Sequence, residues 1–280
     1  MDQENPNPKV SYYDWMVAND ILEHLRPLWD GGGFRLREDG KLVSDASQMV
    51  EGPWHYIKRR WEFECYTWHH VIFDQISRRM VIGQKFVPSK CHECFKVVVR
   101  LGTLKQLFAL EKLQIAMGRP CKCGLEVRDT VHGLYGGYFY NKGLDEGLER
   151  YQEVRQAIND TQYLGPDVSV ILKRGCTEME LECGPSDKWK ITPEQLKIEA
   201  MVDQYLAKDD VVRTQSEQAI WHLHRKWIEY AYARGDSTYA EFTDGKPLFP
   251  PVVQYEHLVD AQPSAPVEGS PKRAEVKNEH

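Results

Sequence analysis

Four cysteines pose the first chemical question of this chain. Cys91 and Cys94 lie in KCHECF, and Cys121 and Cys123 in PCKCG: a C-x2-C pair and a C-x-C pair with 26 residues between them. Four thiolates on two tight turns are a sufficient donor set for one tetrahedral metal ion. Zinc is the expected occupant, because four thiolates with no redox demand suit it; an iron–sulfur cluster or a single iron takes the same ligands and is the alternative. His92 and His132 are spare candidate ligands. The bland reading is four free buried thiols, which pack as small hydrophobes.

Three further groups have residue types that do chemistry. His55, Glu62 and His69 recur at seven-residue steps with His70 beside the last. On a helix that spacing stacks side chains along one face, as a second metal or acid/base site would need. The expected reading is a polar face beside a tryptophan stripe, since no H-E-x-x-H pairing accompanies it. Cys176 follows Lys173, Arg174 and Gly175, an electropositive spot that favours a thiolate. A structural thiol is expected there, with a reactive one as the alternative, because no Cys–His–Asn arrangement is visible. His222 and His224 are two apart and splay to different helix faces.

Tyr138 and Tyr140 point one way along LYGGYFY, with Phe139 on the other face. Aromatics on a central strand stack RNA bases, which makes an RNA-binding module a third reading. Gly137 stands where such a surface wants an aromatic, and the strand FKVVVR has no stacking aromatic on its exposed face. The expected role of Gly136-Gly137 is close approach of another backbone, with the tyrosines packed under a helix.

The elements that position these groups follow from periodicity and punctuation. A first helix is expected over Tyr12–Leu28, then a hairpin, Phe34–Arg37 and Lys41–Ser44, turning at Asp39-Gly40. Trp54, Ile57, Trp61, Cys65, Trp68, Ile72 and Ile76 predict one long helix over Pro53–Arg79. Strands are expected at Phe95–Arg100, Leu125–Arg128, Leu134–Tyr140 and Val168–Leu172. Helices lie between them, one of them capped by Thr103 and Gln106 and ended by Gly118. That order, βαββαβ, predicts an α+β fold whose centre is a ferredoxin-like sheet with strand order 4-1-3-2. The N-terminal ends of its first two strands would then share a rim about 10 Å apart, where the two cysteine pairs meet on one ion. Apolar/acid alternation over Thr177–Cys183 reads as a half-exposed strand. Helices from Thr192 and over Thr214–Arg234 follow, then an extended stretch, Leu248–Leu258, and a tail of disordered composition from Ala261.

The organisation expected is a helical region over 1–85, a metal-binding α+β domain over 86–190, a helical pair over 191–245 and a tail over 246–280. A net charge of −6 and a pI near 6.0 argue against a general nucleic-acid or membrane-surface binder. No apolar run approaches the ~20 residues that span a bilayer. Seven cysteines, an odd number in short clusters, are not a secreted disulfide framework, so a cytoplasmic protein is expected. The function expected from these residues is a zinc-binding accessory or adaptor protein that contacts a protein partner or a second copy of itself. An iron-binding redox protein or enzyme subunit is the alternative.

Overall fold

The computed structural model describes residues 21–30, 34–44, 55–59, 68–78, 85–128, 130–207 and 215–249. Helix α1 (Ile21–Asp30) is followed by an antiparallel hairpin of β1 (Phe34–Leu36) and β2 (Leu42–Ser44), as expected. Then come β3 (Tyr56–Arg59), helix α2 (Trp68–Ser77), the single turn α3 (Ser89–His92) and β4 (Cys94–Leu101). Helix α4 (Leu104–Met117) leads to β5 (Cys121–Leu125) and β6 (Tyr135–Lys142), and α5 (Leu144–Asp160) to β7 (Ser169–Arg174). Helices α6 (Thr177–Cys183), α7 (Pro193–Asp203) and α8 (Glu217–Ala233) complete the set.

The mixed α+β class is observed, with an antiparallel sheet of five strands in the order β3-β5-β6-β4-β7. Only four were expected. Residues 56–59 extend the sheet instead of belonging to a long helix, because Tyr56 and Ile57 are buried by pairing with β5. Trp54, Trp61, Glu62 and Cys65, expected on that helix, lie outside the described residues, as do Tyr12–Asp20, residues 250–258 and the tail.

One face of the sheet is apolar and covered. Val97 and Val99 of β4, Tyr135 and Phe139 of β6 and Val170 of β7 pack beneath α4 (Leu104, Leu107, Leu110), α5 (Val154, Ile158) and α8 (Leu223, Trp227). The capping box at the start of α4 is present as expected: Thr103 Oγ1 accepts from Gln106 N at 3.2 Å, and Gln106 Oε1 accepts from Thr103 N at 3.3 Å. Gly137 is required here, since a Cβ at that position would fall 2.2 Å from Leu110 Cδ2 of α4. The neighbour at Gly137 is a side chain and not the backbone that was expected, and Tyr138 and Tyr140 face away from that helix.

A second core joins α1, the hairpin, α2 and α7 through Leu25, Leu42, Val71, Ile72, Ile76, Ile198 and Val202. A small cluster of Phe73, Val87, Cys91 and Met179 ties α2 to α6. Thr177–Cys183 is a helix, not the expected strand; Met179 is its buried anchor and Leu181 points to solvent.

Candidate active site

The other face of the sheet carries the chemistry, and the ladder registers place its side chains in rows. Lys58 of β3 lies opposite Lys122 of β5, Lys122 opposite Tyr138 of β6, and Tyr138 opposite Val98 of β4. In the next row Tyr140, Lys96 and Lys173 face one another across β6, β4 and β7. On the far side of the first row Arg100 lies opposite Gly136. Like charges directly opposite destabilise a ladder, yet Lys58–Lys122 and Lys96–Lys173 are two such pairs on one surface. These side chains form the floor of a cavity; its walls are His69 and His70 of α2 and the chain leaving β7, Cys176 to Glu178.

Local backbone geometry aims both walls inward. The Arg78 N–H donates to the Phe73 carbonyl at 2.8 Å, an i to i−5 bond, and α2 is wound as a π-helix. The wider turn brings residues four and five apart onto one side. Asp74 Oδ2 accordingly lies 2.9 Å from His70 Nδ1 and 3.6 Å from His69 Nε2. At the other wall, Gly175 adopts φ +61° and its amide donates to the Cys94 carbonyl at 2.8 Å. A Cβ on Gly175 would lie 2.4 Å from the Trp189 ring, so only glycine fits the turn that presents Cys176.

Cys176 and His69 form a hydrogen-bonded pair, and the Lys96 ammonium donates to Cys176 Sγ at 2.8 Å. Burial alone would push the thiol up. The Lys96 charge and the His69 hydrogen bond outweigh it and bring Cys176 down to about 5. Burial likewise opposes a charge on His69, but the bond to Cys176 and the negative charges of Cys176, Asp74 and Glu178 raise its pKa. Both shifts favour a thiolate beside an imidazolium, and the Asp74 carboxylate, hydrogen-bonded to His70, adds a negative charge 3.6 Å from His69 Nε2.

A buried carboxylate anchors the floor. Glu126 accepts from Tyr138 Oη at 2.5 Å and Tyr56 Oη at 3.0 Å, and takes a bidentate fork from Arg128 at 2.7 and 2.8 Å. Arg128 reaches on to Glu178 at 2.7 Å, linking the floor to the wall that carries the thiol. Burial would raise the Glu126 carboxyl; the Arg128 and Tyr138 hydrogen bonds hold it below its ordinary value. Lys122 differs from its neighbours. Its Nζ sits 4.4 Å over the Tyr56 ring and 4.8 Å over the Tyr138 ring, and no carboxylate among the described residues pairs with it. Burial, then the positive charges of Lys96 and Arg128, pull its amine down to about 7.

Compared with models of known protein families, with curated proteins and with solved structures, the chain matches none. The reading of the site rests on its own geometry.

The structure does not gather the four cysteines expected to bind metal. Cys121 and Cys123 are buried in the core beneath α4, where Arg59 and Glu111 are their charged neighbours. Cys94 belongs to the opposite face, among Lys96, Lys122, Lys173 and Cys176, and Cys91 packs with Phe73 and Met179. Among the described residues no group of three or more His, Cys, Asp or Glu side chains is placed to hold a metal ion. The reason is a shifted strand. CKCGL is itself β5, with both thiols on its apolar side, rather than a turn preceding a strand at Leu125–Arg128.

The remaining candidates separate in the same way. His55 precedes β3, its carbonyl accepting from Trp227 Nε1 at 2.8 Å, while His69 and His70 line the cavity. His224 pairs with Glu111 at 2.7 Å on the covered face, away from the cavity, and His132 is exposed. Tyr138 is only 5 % exposed with Lys122 over its ring, so it is no open platform for a base. No helix among the described residues is long and apolar enough to cross a membrane. Sequence reasoning pointed to Cys176 and His69 separately and missed Asp74, Lys96, Lys122, Glu126, Arg128 and Glu178. The available signal was alternation: Lys96, Val98 and Arg100 share one face of a strand whose other face is apolar.

Proposed function

We propose that this protein is a cysteine-nucleophile enzyme that transfers the acyl group of an anionic substrate. The observation that carries this reading is the Cys176–His69 pair, with the Lys96 ammonium on the sulfur and the Asp74 carboxylate near the imidazole, within a cavity rich in positive charge. A thiol activated by an adjacent base, with a carboxylate near that base, is an arrangement that supports covalent acyl transfer. The Cys176 sulfur attacks the carbonyl carbon, forming a C–S bond and an oxyanion that the adjacent Lys96 ammonium stabilises. His69 then gives its proton to the leaving group as that bond breaks. In the second half, neutral His69 takes a proton from water, the resulting hydroxide adds to the thioester, and the C–S bond breaks to return the thiolate.

The order of β5, β6, β4 and β7, with α4 and α5 packed on one side, supports reading the sheet as a ferredoxin-like βαββαβ unit that β3 extends. Such a unit covers one sheet face and leaves the other for a site. An adaptor role built on zinc finds no support in the placement of the sulfurs.

The test uses the mono-p-nitrophenyl ester of glutaric acid, which carries one carboxylate, against p-nitrophenyl acetate. The reading expects a burst of nitrophenolate, a glutaryl adduct on Cys176 by mass spectrometry, and preference for the charged ester. Turnover unchanged in Cys176→Ala, with no adduct, would remove it.

A further inference from the structure

The two lysine pairs are not equivalent, and their separation describes a substrate. Lys96 and Lys173 lie beside the thiol: Lys96 touches Cys176 Sγ, and Lys173 Nζ is 2.6 Å from Glu180 Oε2 and 3.1 Å from Thr177 Oγ1. Both are committed to that wall. Lys58 and Lys122 stand across the floor on β3 and β5. Lys122 and Lys96 belong to strands separated only by β6, which puts those strands about 10 Å apart across the sheet at a strand spacing of about 4.8 Å.

Among the described residues, Lys122 is the cation that no carboxylate pairs with. Its ammonium is held between two tyrosine faces, and both phenol hydroxyls are turned away to Glu126. Glu126 is in turn taken up by Arg128, which leaves Lys122 no carboxylate of its own among the described residues. Desolvating a cation beside other cations costs free energy that a bound anion recovers.

We infer that the cavity takes a substrate with two ends: a reacting carbonyl at Cys176, and a second, negatively charged group, a carboxylate or a phosphate, seated on Lys122 with Lys58 beside it. This inference rests on the reading of Cys176 as the nucleophile. Lys122 supplies the charge, and the rings of Tyr56 and Tyr138 fix its position, so that the distal anion sets which molecules present their carbonyl to the sulfur. Short monoanions reach one end only; dianions of the right length reach both.

Protection of Cys176 against iodoacetamide, a neutral reagent, tests this. The probes are the linear α,ω-dicarboxylates from succinate to azelate, with the monocarboxylate of equal length beside each. Each protein's protection is measured against its own unliganded rate. Expected is protection by the dianions at least tenfold stronger than by the matched monoanions, greatest for the longer chains, and at least tenfold weaker in Lys122→Gln. Lys122→Arg, which keeps the charge and guards against a folding defect, should retain most of it. Dianions no better than monoanions, or full protection in Lys122→Gln, would overturn the distal subsite while leaving the nucleophile in place. A Cys176 that fails to react with iodoacetamide in the wild-type protein overturns both.

Discussion

The Lys96 ammonium lies 2.8 Å from the Cys176 sulfur, a contact made between β4 and the residue that leaves β7. It places a fixed positive charge against the nucleophile, independent of the protonation of His69. Lys96→Met removes that charge and keeps most of the stem. The expected outcome is a fall of at least tenfold in the rate of Cys176 carbamidomethylation at pH 6, followed by intact-mass measurement. An unchanged rate would assign thiolate stabilisation wholly to His69.

The pair also predicts the shape of a pH–activity profile. The active form has the thiol ionised and the imidazole protonated. Cys176 is lowered to about 5 and His69 is raised above the ordinary 6.5. Activity with the charged nitrophenyl ester should therefore rise as pH passes about 5 and fall on the alkaline side of 6.5. His69→Gln should lose the alkaline limb along with most of the rate. A profile that climbs steadily through pH 8 would show that the thiol is not ionised at rest.

The elements of this fold were largely legible in the sequence, and the site was not, for a physical reason. Thr103–Gln106 and Gly118 mark α4 by local hydrogen bonding and backbone conformation, so they are written in neighbouring residues. The row Lys58, Lys122, Tyr138 exists only through pairings between strands far apart in sequence. Cys121-Lys122-Cys123 shows the ambiguity at its sharpest. The spacing that suits a metal turn also suits a strand with two apolar thiols inside and one lysine outside, and burial decides between them. His69 and Asp74 were hidden because α-helical spacing does not align residues five apart, whereas π winding does.

Glu126 should be the most costly floor residue to remove. Its side chain is buried beneath two tyrosine hydroxyls and the Arg128 fork. Glu126→Ala takes the buried carboxylate from Arg100, Tyr56 and Tyr138 and leaves Arg128 with Glu178 alone, and the expected loss is about 3–5 kcal/mol in urea unfolding. The sign of its pH dependence follows from the lowered carboxyl. The folded protein binds fewer protons there than the unfolded chain, so the contribution is present above the ordinary carboxylate value and fades as pH falls through the lowered one. The gap between wild type and Glu126→Gln should close toward acid pH; a gap independent of pH would contradict the assignment.

Gly175→Ala tests the turn that presents the nucleophile. The added methyl meets the Trp189 ring and forces a left-handed φ on alanine. Loss of Cys176 reactivity is expected, with partial recovery in Gly175→Ala/Trp189→Ala, where the ring has been cleared. Failure of the second change to restore any reactivity would place the defect in the backbone alone.

Cys121 and Cys123 provide a check on the metal expectation. Because they face the apolar core while Cys94 lies on the other face of the sheet, a chelator should leave the melting temperature of the purified protein unchanged. A drop of several degrees on chelation, matched in Cys121→Ala/Cys123→Ala, would show that the thiols meet on an ion after all.

The most direct measurement is the pH dependence of iodoacetamide labelling at Cys176 in the wild-type protein, resolved by peptide mass spectrometry. A resting thiolate predicts half-maximal rate near pH 5, with labelling already fast at pH 6. Half-maximal labelling near the free-thiol value of about 8.5 would contradict the account.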